Sequence, residues 1–109
     1  MQNAKKNDIL RLPIDALDDG PVGAKVGDRF IGVFDVGEKM YAIENVCPHA
    51  QAFLSDGHVQ GAVVECALHN ARFHIPTGKC LSGPGRDIAT FPVRVTRDQI
   101  IVECESNKQ

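Results

Sequence analysis

No stretch of this sequence is apolar for long enough to cross a bilayer as a helix, which takes about 20 such residues. The polar segment 1–8 carries Lys5 and Lys6 with no apolar run behind them, so it reads as neither a secretory signal nor a twin-arginine leader. A cytoplasmic protein is the expectation. Charge of one sign is equally scarce: 12 Lys and Arg stand against 14 Asp and Glu, interspersed, for a net charge of -2. That pattern offers neither a basic stripe for nucleic acid nor a polybasic patch for a membrane surface. No segment keeps a 3.6-residue apolar period, and there is no internal repeat, low-complexity block or linker. A flavin or nicotinamide fingerprint is also missing, as is a separate domain with the two-His-one-carboxylate triad of non-haem iron. At 109 residues one domain is expected, long enough for a modest core but too short for that core plus a second catalytic domain.

What is present is a series of short β-rich runs between turn signals, with 10 Gly and 6 Pro spread along the chain. Strands are expected near residues 9–11, 24–26, 29–35, 39–43, 58–60, 62–65, 71–75, 91–96 and 99–103. Gly37-Glu38 would turn the hairpin between the third and fourth, and Gly61 the small hairpin of 58–65. Phe91, Val93 and Val95 alternate with Arg94 and Thr96, so the first three are expected in a core. Residues 30–34 are apolar on both faces, which suits a central strand between two layers. Residues 13–17 read as one helical turn too short to matter, and 105–109 as a frayed tail.

Two half-sites interrupt this pattern: Cys47-Pro48-His49 and, after sixteen intervening residues, Cys66-Ala67-Leu68-His69. Each falls in a loop delivered by a strand, and together they offer two thiolates and two imidazoles at one tip of a small sheet. Four cysteines without a secretory context favour metal ligation over a disulfide framework. Two chemistries use such a set. One is a tetrahedral structural zinc, although Cys-x-His is tighter than the usual Cys-x₂₋₄-Cys knuckle. The other is a [2Fe–2S] centre in which two histidines replace two cysteines on one iron.

The stretch from Tyr41 to Glu103 resembles the Rieske ferredoxins that serve multicomponent aromatic-ring dioxygenases. The resemblance is carried by both half-sites together with Phe73, Thr77-Gly78-Lys79, Gly83-Pro84 and Phe91-Pro92-Val93. It implies an all-β fold of stacked antiparallel sheets with a small cluster-binding subdomain at one tip. Residues 1–109 would form a single domain, with the cluster-binding portion at about 44–86. It implies one Rieske-type [2Fe–2S] cluster per chain, with Cys47 and Cys66 on one iron, His49 and His69 on the other, and Pro84 in a shielding loop. No catalytic residue is expected, because the implied role is to carry single electrons. The donor would be a flavin-containing NAD(P)H ferredoxin reductase and the acceptor a terminal ring-hydroxylating oxygenase, with no nucleic-acid or membrane partner, and the carrier a monomer. Two alternatives stand beside it: the small Rieske-like subunit of an NAD(P)H nitrite reductase, and a zinc-stabilised binding module.

Further residues bear on the chemistry. High-potential relatives in respiratory complexes carry a Ser and a Tyr two and four residues after the second histidine, and an extra disulfide between the ligand loops. Ala71, Phe73, Gln51 and Leu68 stand at those places here, so the expected potential is near the bottom of the Rieske range. Cys80 and Cys104 read as packed thiols, and His58 and His74 as surface or strand residues. Glu44, Asp56, Arg72, Lys79, Arg86 and Asp87 read as a solvated rim able to steer a partner collectively, with Arg72 the foremost candidate.

Overall fold

The computed structural model describes residues 8–48, 52–68, 71–83 and 86–104. These form β1 (Ile9–Pro13), β2 (Val22–Val26), β3 (Arg29–Val36), β4 (Lys39–Glu44), a 3₁₀ turn (Leu54–Asp56), β5 (His58–Gln60), β6 (Val63–Glu65), β7 (Arg72–His74), β8 (Lys79–Ser82), β9 (Thr90–Phe91), β10 (Val93–Val95) and β11 (Gln99–Glu103). Three antiparallel sheets result, in the orders β1-β11-β10, β2-β3-β4-β9 and β5-β6-β7-β8. The all-β class and most of the expected strands are therefore observed.

The sheet containing β3 and β4 is the middle layer, and side-chain alternation divides its residues between two cores. Ile31, Val33 and Ala42 join Leu17, Ile100 and Val102 in one core, shared with the β1-β11-β10 sheet. Phe34 and Ile43 join Leu54, Val64, Phe73 and both half-site cysteines in the other, shared with the β5–β8 sheet. A strand covered on both faces has no polar side to present, which is why residues 31–34 are all buried. Phe34 and Phe73 are wholly buried, each worth about 1.5–3 kcal/mol in area removed from water.

Three departures from the sequence reading have physical causes. The 91–96 run is two strands, because Pro92 has no N–H to give a ladder. The chain changes sheets there, β9 pairing with β4 and β10 with β11. Phe91 is buried and Val93 half-buried, but Val95, on the edge strand, is 49 % exposed and does not enter a core. Strand β8 was not expected, since Lys-Cys-Leu-Ser has no alternation. It forms because Gly78, at φ 75°, takes the left-handed turn that folds β8 back on β7. A Cβ at Gly78 would also strike the carbonyl oxygen of Ile88. Finally, the turn at 13–17 matters after all: Ala16 N–H donates to the Pro13 carbonyl at 2.9 Å, and the turn delivers Leu17 into the core.

Cys104 closes the far end of that core, wholly buried, its thiol 3.6 Å from the Val102 carbonyl. Burial pushes this thiol above its ordinary range, with Asp8 adding to the rise and a Leu10 backbone hydrogen bond and Arg29 opposing it. The neutral thiol is thus favoured in the folded chain. Its contribution is complete below the ordinary thiol pKa and is lost as pH climbs from there to the raised folded value, because the unfolded chain ionises first. Denaturant titrations between about pH 8 and pH 10 should show a steeper loss of stability for the native chain than for Cys104→Ala, by up to about 1.4 kcal/mol per pH unit. Parallel slopes would mean that Cys104 titrates normally.

Candidate metal centre

The two half-site cysteines head loops closed in the same way. Cys47 N–H donates to the Ala52 carbonyl at 2.9 Å, and Cys66 N–H donates to the Ala71 carbonyl at 2.8 Å. In each case the bond spans five residues and pins the loop base at the cysteine. Cys47 and Cys66 are 2 % and 1 % exposed and belong to one core. Residues of both loops, including Ala52, Ala67 and Leu68, line one groove of about 580 Å³.

The necks below the loops differ. Under Cys66 lies a regular ladder, Val64 opposite Phe73 and Glu65 opposite Arg72, continued by β5 and β8. Under Cys47 the chain has left β4, and only an isolated bridge joins Val46 to Phe53. The next rung is polar. The Asn45 carbonyl accepts from Leu54 N–H at 2.6 Å, its Oδ1 accepts from Ser55 N–H at 2.8 Å, and its Nδ2 donates to Ser55 Oγ at 2.9 Å.

Of the expected ligands, Cys47 and Cys66 are brought together in this way. His49 and His69, with Gln51 and Pro84, lie outside the described residues. The donor chemistry fits a [2Fe–2S] group. Two thiolates sequestered in an apolar core would be costly without a compensating cation, and the same two loops carry an imidazole each in sequence. No disulfide joins the cysteines. Among the described residues no group of three or more His, Cys, Asp or Glu side chains gathers to hold a metal ion.

Cys80 and Cys104 stand apart from the loops and from each other. Cys80 packs on the site-side core with its Sγ towards the Ser82 and Gly83 carbonyls, at 3.8 and 3.9 Å, whereas Cys104 is in the other core. His58 is exposed on β5, and His74 Nδ1 lies 2.9 Å from Thr77 Oγ1 in the β7–β8 turn. The charged rim is partly spent on internal bonds. Glu44 accepts from Ala89 N–H at 3.1 Å and pairs with Arg86 at 3.4 Å, and Asp87 accepts from Cys80 N–H at 2.8 Å. Arg72, 57 % exposed in its side chain, pairs loosely with Glu65 at 3.9 Å and still faces solvent.

The sequence reading missed the polar rung and an apolar patch. Phe30 and Phe53, ring centroids 5.4 Å apart, line the groove together with Leu68, which is 62 % exposed. The signal for the rung was glycine within strands, which marks close approach. Gly23 and Gly32 are cross-strand partners on β2 and β3. A Cβ on either would come within 2.5–2.9 Å of the Asn45 amide or Ser55 Oγ.

Comparison with known proteins agrees with this geometry. The ferredoxin component of the naphthalene 1,2-dioxygenase/salicylate 5-hydroxylase systems of Ralstonia sp. is 40% identical over 94 residues, covering 82% of this chain and 90% of that one. The ferredoxin of carbazole 1,9a-dioxygenase from Nocardioides aromaticivorans IC177 superposes with a TM-score of 0.77 at 28% identity, covering 87% and 98% of the two chains. A chain from the complex of reduced oxygenase and oxidized ferredoxin in carbazole 1,9a-dioxygenase superposes at 0.82 with 29% identity, covering 94% and 99%. Residues 10–92 match the Rieske [2Fe-2S] domain, a span that holds both cysteine-headed loops and the sheets that carry them. The cofactor this implies is a Rieske [2Fe–2S] cluster, and the chain belongs to the Rieske [2Fe–2S] domain family.

Proposed function

We propose that Cys47, His49, Cys66 and His69 hold the cluster, and that the protein carries single electrons in the cytoplasm from a flavin-containing NAD(P)H reductase to a terminal aromatic-ring dioxygenase. In this reading the cluster-binding portion is about residues 44–86 of a single domain. The observation that carries this reading is the pair of cysteine-headed loops, closed by matching bonds and lining one groove. The ferredoxin components among the relatives supply the system in which such a carrier works. When bound, the cluster supplies a one-electron site whose oxidised form is formally neutral, because two imidazoles replace two thiolates.

The protein residues have three tasks. The buried cysteines fix the site in a low-dielectric core, where a neutral centre takes up an electron at less cost than an anionic one. The loops bring the site to the surface, and the exposed Phe30, Phe53 and Leu68 beside them offer a small apolar contact suited to a transient encounter. Among the described residues no helix is long and apolar enough to cross a membrane.

Stopped-flow mixing of the dithionite-reduced protein with an oxidised ring-hydroxylating dioxygenase tests this role. Reoxidation of the carrier with one electron delivered per chain is expected. Persistence of the reduced spectrum at the rate seen without the oxygenase would remove the acceptor from the proposal.

A further inference from the structure

We infer that Asn45 is a positioning residue for the first ligand loop, acting through Ser55 against a glycine platform on the middle sheet. This rests on the ligand assignment above in taking Cys47 as the residue so positioned. Asn45 is the one polar side chain among the described residues that is both buried, at 2 % exposed, and outside the apolar cores. Its side-chain oxygen and nitrogen are each hydrogen-bonded, and both bonds go to Ser55. With its backbone N–H donating to the Phe30 carbonyl at 2.8 Å and its carbonyl accepting from Leu54, it ties three segments together: β3, the outgoing leg of the loop and the returning leg.

The second loop needs no such device, since β6 and β7 pair up to the residue before Cys66. The first loop leaves its sheet before Cys47 and has one isolated bridge in place of a ladder. Asn45 and Ser55 supply the missing rungs from side chains. Gly23 and Gly32 are there to admit them: a Cβ on Gly32 would lie 2.5 Å from Asn45 Oδ1, and one on Gly23 2.7 Å from Nδ2 and 2.9 Å from Ser55 Oγ. Clamp and platform therefore set the height of the first loop above the sheet, two residues before the thiolate.

The prediction is selective loosening. In Asn45→Ala, hydrogen-exchange mass spectrometry of the iron-loaded protein should show segment 46–54 exchanging about tenfold or more faster, while 64–73 stays as in the native chain. Ser55→Ala removes one bond and keeps the Ser55 N–H bond to Asn45, so about a fivefold rise is expected in the same segment. The EPR g values of the reduced cluster should shift in Asn45→Ala, because Cys47 is no longer held at one height. A uniform rise in exchange across both segments, or an unchanged spectrum with unchanged exchange at 46–54, would reduce Asn45 to an ordinary packing residue and overturn the inference. If Asn45→Ala does not fold, Ser55→Ala gives the same decision. The exchange pattern reads the clamp whether or not the four ligands are rightly assigned, whereas iron content and colour read the ligands.

Discussion

Cys66→Ser should yield a colourless protein that retains little iron after purification, and Cys47→Ser should do the same. Cys80→Ser and Cys104→Ser should remain red-brown with native iron content. The thiolate is the metal ligand and a serine hydroxyl is a poor substitute at neutral pH. Mutating outer-sphere partners of metal ligands alone typically costs about 10–100-fold in affinity, so loss of a ligand should exceed that range. Placement makes the four-way comparison decisive. Cys47 and Cys66 head the two closed loops, Cys80 sits on β8 with its thiol turned to backbone carbonyls, and Cys104 lies in the opposite core. The two ligand variants should also unfold more easily than the native iron-loaded protein, because metal binding free energy is in part folding free energy. Retention of iron by Cys66→Ser with loss in Cys80→Ser would reassign the site.

The second large effect is electronic. Ala71→Ser combined with Phe73→Tyr should raise the reduction potential by roughly 100 mV, a fraction of the −150 to +300 mV that Rieske centres span. A hydroxyl donated to a cluster sulfur or cysteine sulfur favours the more negative, reduced state, so the direction is upward. Ala71 and Phe73 are both wholly buried, in the same core as Cys47 and Cys66. Their environment adds a second consequence. A buried hydroxyl without a partner costs about 1–3 kcal/mol, and Gly83 already packs so closely that a Cβ there would lie 2.8 Å from Ala71 Cα. In iron-free protein the double variant should therefore be less stable than the native chain, with part of that loss recovered when the cluster accepts the hydrogen bonds. Protein-film voltammetry measures the first effect and denaturant titration the second. An unmoved potential would show that these two positions do not tune the centre.

The sequence was most legible where local pattern and structure share a period. Strands β5 and β11 fall on the expected residues, and the apolar run at 30–34 announced a strand covered on both faces. The pairing of Cys47 with Cys66 was legible because Cys-x-His and Cys-x-x-His are spacings that metal chemistry singles out, and the structure brings the two cysteines into one core. Less visible was whatever depends on two distant segments meeting. Strand β8 exists through Gly78 and its neighbour Ile88, not through its own residues. Leu17 is a core residue because a turn aims it, and Val95 is exposed because its strand is an edge. The Asn45–Ser55 clamp required knowing that Gly23 and Gly32 face each other across β2 and β3, a register that no single segment encodes.

The central claim is that this chain holds a histidine-ligated [2Fe–2S] cluster between its two loops. Absorption and low-temperature EPR of the anaerobically purified protein, before and after dithionite, test it most directly. The account predicts a red-brown protein that bleaches on reduction and gives a rhombic signal with a low average g value. A colourless, EPR-silent protein containing stoichiometric zinc would contradict it.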